Sequence, residues 1–314
     1  MTNRIATISA LCQAWVDEIV QPDGGVVIAI GAADNPLTRN GILPHTMSHG
    51  ELRAACLGLT NVLSIPNYQS IGPDDLLFWG WCAQIFDTVY GYFQPRSAAD
   101  IELRNLFGAM AHASLADPQI VSAYEQDASV LNALPTPTRQ ALAFVRDHFV
   151  VSAYLCFPLL EGVLRKTLSQ FVDRDGTVVQ DFAVSGCSYG LTGRNRCNNV
   201  AHMLFQLDAD QREKKTELAV DLAAATSHLQ RADPNRHPYK MIADWRNSSL
   251  HGNVSLATIG ARVLNLVCLI ALHNLTDLEQ RPLDYDTVAS SARQAALAHP
   301  RDVRWSYYPR EVMG

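Results

Sequence analysis

The sequence predicts an all-α, mostly helical protein in which a C-terminal helical bundle follows a helical N-terminal region. Apolar residues recur at three- and four-residue intervals along most of the chain, the spacing of one helix face. Prolines and glycines fall mainly between those periodic stretches. Only the run Val26-Val27-Ile28-Ala29-Ile30 reads as a short strand or a buried extended piece.

Composition sets the outer bounds. The chain has 314 residues, 48% of them hydrophobic and 18% charged, enough to bury one large core or two modest ones. That profile excludes disordered and collagen-like chains. A formal net charge of −6 argues against a protein that coats nucleic acid, so any such contact runs through a local patch. The cations comprise 21 arginines and 4 lysines. Arginine grips phosphate in a planar fork, although a GC-rich genome is the plainer source of this bias. Seven cysteines without a CxxC pair speak for a reducing compartment and against a disulfide framework or zinc site. The N-terminus does not read as a signal peptide, and no segment is apolar enough to span a bilayer. The expected location is cytoplasmic.

In order along the chain, residues 4–20 carry a stripe of Ile5, Ile8, Leu11, Cys12, Trp15, Val16 and Ile19. Gly24-Gly25 ends that helix, and a loop rich in Asn, Pro and Gly runs to about residue 47. Helices are expected at 48–64, 73–93 and 97–116, with a shorter one at 119–132. Leu134-Pro135-Thr136-Pro137 is the candidate boundary, because two closely spaced prolines cannot continue a helix. It separates a helical N-terminal domain of unassigned role, 1–137, from a bundle over 138–280; a tail spans 281–314.

The bundle opens with a long helical pattern at 138–172, capped by Thr138 and kinked at Pro158. A Gly- and Ser-rich excursion occupies 173–193. Helices follow at about 195–207 and 209–230, the second strongly charged at its start. Pro238 suits the first turn of the next helix and Gly252 the residue just past its end. Ser255 suits the cap of a last apolar helix, 256–278.

The segment Asp244-Trp245-Arg246-Asn247-Ser248-Ser249-Leu250-His251-Gly252-Asn253 concentrates chemistry between two apolar helices. Cleavage of RNA by its own 2′-hydroxyl needs a proton carrier that works near neutral pH, and histidine suits this. It also needs a fixed cation on the phosphate, and arginine suits this. With the nucleophile already in the substrate, no metal or other cofactor is required. On a regular helix Arg246 and His251 point about 140° apart, whereas Asn247 and His251 share a face. One copy therefore needs a broken last turn to aim both groups at one phosphate. Alternatively, two chains combine their motifs.

The RN-x3-H pattern of Arg246, Asn247 and His251 resembles the R-x4–6-H motif of the HEPN superfamily. Upstream, Glu161 and Arg165 resemble an E-x3-R stretch on the first long helix of some members. The resemblance covers about 141–280. It implies a four- or five-helix bundle that forms a homodimer and places two motifs in one cleft. It further implies a metal-independent endoribonuclease, of a phage-defence or toxin kind, that leaves 2′,3′-cyclic phosphate and 5′-hydroxyl ends. In that role Arg246 holds the scissile phosphate, His251 moves the proton and Asn247 orients one of them. Glu161 and Arg165 support the site. RNA is the expected substrate, and an antitoxin or trigger protein the further partner. Other members are non-catalytic modules that bind nucleotides or proteins, and this is the alternative expectation.

Plainer roles stand beside these. Arg246 and His251 suit a helix C-terminus, where cations meet the macrodipole. Glu161 and Arg165 suit an ordinary i, i+4 ion pair. Further R-x5-H spacings occur, among them Arg39 to His45 and Arg231 to His237, in less helical settings. His45 and His49 resemble half a metal site without a third ligand. Trp79, Trp81, Phe86, Tyr90, Tyr92 and Phe93 suit base stacking, or more simply a core.

Overall fold

The computed structural model describes residues 4–19, 36–42, 47–63, 154, 156–183, 190–191, 196–250 and 257–274. These residues are mostly helical. Helix α1 spans Arg4–Ile19, α2 Pro36–Arg39 and α3 His49–Leu63. A helical stretch over 156–167, α4, is followed by the two-residue strands β1, Phe182–Ala183, and β2, Gly190–Leu191. Then come α5, Val200–Glu213; α6, Glu217–Ala232; α7, Pro238–Leu250; and α8, Ala257–His273. The expected helices at 73–93, 97–116 and 119–132, the extended run at 26–30, the boundary at 134–137 and the tail lie outside the described residues.

Local chemistry explains the elements that form. The α1 stripe buries Ile8, Cys12 and Trp15, while Ile5 at its start stays exposed. Pro238 opens α7, where its missing N–H costs nothing. Asn199 caps α5 by accepting the Ala201 N–H at 2.8 Å.

The break between α5 and α6 differs from the expected one. The charged run from Asp208 continues α5 instead of starting a new helix, because Asp208–Arg212 and Asp210–Lys214 pair at i, i+4 along it. The helix ends at Glu213, six residues beyond the expected end at 207, and a left-handed turn follows at Lys215, φ 53°. There the Thr216 N–H reaches the Gln211 carbonyl at 3.0 Å and the Lys215 N–H the Arg212 carbonyl at 3.1 Å. This is a Schellman cap with lysine where glycine is usual.

Helix α8 is central. Every residue from Val263 to Leu272 is buried, so the helix is enclosed on all sides. It packs on α3 and α6; α6 also touches α3, α5 and α7, and α7 packs on α5. Helix α3 thus joins the C-terminal helices in one apolar core. Polar clasps fix this interface. Buried Asn265 of α8 donates to the Cys56 carbonyl at 3.0 Å and to Thr60 Oγ1 at 2.7 Å. Arg53 of α3 forks onto buried Asp221 of α6 at 2.7 and 2.9 Å, and also reaches Glu217. The His49 ring meets the Leu272 carbonyl at 2.7 Å. Among the described residues, no helix is long and apolar enough to cross a membrane.

Candidate functional site

The two stretches singled out in sequence meet in space. Arg246 lies in the C-terminal half of α7, and Glu161 lies on α4, 85 positions earlier in the chain. Arg246 donates its Nε–H to Glu161 Oε1 at 2.9 Å. The other oxygen of the same carboxylate faces Arg165 Nη2 at 3.5 Å. One carboxylate therefore bridges two guanidiniums. Coulombic attraction favours this because Glu161 is mostly withdrawn from water, with 15% of its side chain exposed against 31% for Arg246.

Glu161 approaches Arg246 from the Nε side. Asn247 Oδ1 lies 3.4 Å from Arg246 Nη1. Among the described residues Nη2 has no partner. Among the described residues the cluster holds two cations and one anion, and the Nη edge of Arg246 meets only Asn247; such an edge suits an anion with paired oxygens. The Arg246 carbonyl accepts from the hydroxyl of buried Ser249 at 2.8 Å. His251 and Gly252 lie outside the described residues, directly after the end of α7 at Leu250.

Behind Arg165 stands the excursion after α4. Arg165 Nη1 donates to the Arg174 carbonyl at 3.4 Å. Gly176, with φ +85°, passes so close that a Cβ there would sit 3.3 Å from Arg165 Nη2. Cys197 is fully buried beside the cluster. Burial pushes its thiol up to about 11, with Arg165 opposing, so it stays protonated and is no nucleophile at neutral pH.

The plainer readings are partly realised. Glu161–Arg165 is an i, i+4 pair, but it carries a third member, Arg246, from another helix. His237, from the competing R-x5-H spacing, has its ring 4.4 Å from that of Phe205 and 4.7 Å from that of Tyr239, and its Nδ1 accepts the Tyr239 N–H. His49 is engaged with α8 and not with a metal-like set; His45 and the 79–93 aromatics lie outside the described residues. Among the described residues, no group of three or more His, Cys, Asp or Glu is placed to hold a metal ion.

Sequence reasoning missed two features. One is the bracing of Arg165 by Gly176, which the DRDG turn hints at only through its glycine. The other is a cleft of about 220 Å³ lined by His49, Arg53, Glu217, Asp221 and His273. Its members come from three distant helices, and no local pattern announces it. No protein-family model, curated protein or solved structure matches the chain.

Proposed function

We propose that the chain is a metal-independent endoribonuclease of HEPN type, acting as a homodimer in phage defence or as a toxin. The observation that carries this reading is the hydrogen bond from Arg246 Nε to Glu161 Oε1 at 2.9 Å. It joins two motifs that were singled out separately, and an accidental R-x4–6-H spacing has no reason to acquire such a partner. Held from its Nε side, Arg246 keeps its Nη edge for the scissile phosphate. His251 moves the proton between the 2′-hydroxyl, the phosphate and the leaving 5′-oxygen. Asn247 orients Arg246 or binds a phosphate oxygen. A second copy of the chain supplies the matching motif across the cleft.

Overexpression tests this reading in vivo. The wild type slows growth and fragments cellular RNA, whereas His251→Ala and Arg246→Ala do neither at equal protein level. Equal toxicity of wild type and both variants would sink the proposal. A second reading, a non-catalytic module that binds nucleotides or a protein, draws on the same open guanidinium edge. It predicts nucleotide binding lost in Arg246→Ala, with no RNA cleavage by the wild type.

A further inference from the structure

The segment after α4 is longer than a helix-to-helix connection needs, and it is tightly built. The Asp173 carboxylate accepts the Asp175 N–H at 2.9 Å and the Thr177 N–H at 2.7 Å. The Asp173 N–H in turn reaches the Thr177 carbonyl at 2.8 Å. Val172 pairs with Val178, Thr177 pairs with Arg196, and the Cys197 N–H donates to the Gly176 carbonyl at 2.7 Å. Val172, Val178, Phe182 and Cys197 anchor this knot in the core, with Phe171 edge-on to Phe182 at 5.9 Å. A turn held at so many points is a rigid wall and not a passive tether.

Arg165 lies against that wall. Arg165 lies between the Arg174 carbonyl, the face of Gly176 and the Glu161 carboxylate. Its Nε is buried without a hydrogen-bond partner among the described residues, so packing and the far end of the guanidinium hold it in place. Glycine suits this close approach. A Cβ at 176 would stand 3.3 Å from Arg165 Nη2 and 3.4 Å from Asn198 Oδ1, and the +85° φ already disfavours any other residue.

We infer that the turn 173–177, together with 196–198, is a positioning device for Arg246, which it orients through Arg165 and Glu161. Arg165 and Gly176 are positioning residues in this chain of contacts, and neither touches substrate. With Arg165 fixed, Glu161 keeps one oxygen on Arg165 and the other on Arg246 Nε. With Arg165 free, the carboxylate turns and Arg246 loses its orientation. The bracing stands on geometry alone; its consequence for RNA cleavage rests on the ribonuclease reading.

The test uses the full chain with 15N-labelled arginine and follows the Arg246 Nε–Hε resonance, assigned by its loss in Arg246→Lys. In the wild type this proton is protected. In Arg165→Met, which keeps the bulk and removes the fork, it exchanges about tenfold faster and moves toward the position of free arginine side chains. Gly176→Ala does the same, and Arg165→Lys, which retains the charge, restores part of the protection. Circular dichroism shows which variants are folded, and Arg165→Met decides if Gly176→Ala is not. An unchanged Arg246 resonance in folded Arg165→Met overturns the inference. Single-turnover RNA cleavage by the same samples gives the functional arm: the rate falls in Arg165→Met. A wild type that cleaves no RNA would defeat the ribonuclease reading, yet the resonance would still decide the brace.

Discussion

Glu161 is the residue on which the candidate site turns. It neutralises two guanidiniums at once, so removing it leaves Arg165 and Arg246 repelling each other across a half-buried gap. Glu161→Gln keeps the shape and loses the charge. Single-turnover cleavage should fall roughly 10- to 100-fold, the scale of a misoriented catalytic group. Glu161→Ala and Arg246→Ala should be non-additive in thermal stability, because each removes the same pair. Additive losses would show that the pair is not coupled. This residue and Arg246 were legible in sequence, since their spacings stood out. The contact between them was not, because nothing local signals a pairing across 85 positions. Lys215 holds the other residue-scale lesson. Sequence reasoning placed the helix break too early, because a charged run resembles a helix start and a lysine gives no sign of a left-handed turn. Lys215→Gly should raise stability by about 1 kcal/mol by relieving that φ of 53°, as read from urea unfolding.

At the scale of elements, α3 is the surprise. It belongs to the N-terminal region in sequence, yet it shares a core with α6 and α8 and is clasped to them by Arg53, His49 and the Asn265 contacts. Its apolar periodicity was readable, but the partner it packs on was not, because amphipathic faces do not name their mates. Gly58 sets how closely α1 and α3 approach, since a Cβ there would lie 2.5 Å from both Cβ and Sγ of Cys12. Gly58→Ala should therefore destabilise the protein by about 1–3 kcal/mol despite alanine's better helix propensity. The added pair Gly58→Ala with Cys12→Ala should recover part of that loss. A stabilised single variant would contradict this packing. Arg53→Ala strands the buried Asp221 carboxylate and should cost about 2 kcal/mol, and Asp221→Asn in the same chain should soften that cost.

Over the whole molecule, the protonation of histidines couples folding to pH. Burial lowers His202, His228, His237 and His273, and His228 falls to about 4 because burial is joined by Arg262 and Arg231. These groups bind protons more readily in the unfolded chain, near 6.5. Their contribution to stability is complete above that pH. It is lost as pH falls through 6.5 and on toward about 4, the value for His228. The melting temperature should drop steadily between pH 7 and pH 4.5, and His228→Asn should flatten the drop. A melting temperature independent of pH in that range would refute this linkage. The helical class itself was plain from periodicity and punctuation. The central place of α8 was foreshadowed by its broad apolar face, whereas the brace behind Arg165 came from an excursion that carries no helical pattern.

The proposed chemistry, cleavage of RNA by Arg246 and His251 without a metal, is open to direct test. The most direct measurement is cleavage of a defined single-stranded RNA by purified protein in EDTA, wild type beside His251→Ala and Arg246→Ala, with the ends of the products analysed. Cutting by the wild type alone is expected, leaving 2′,3′-cyclic phosphate and 5′-hydroxyl ends. Cutting that survives in His251→Ala, or 5′-phosphate products, would contradict it.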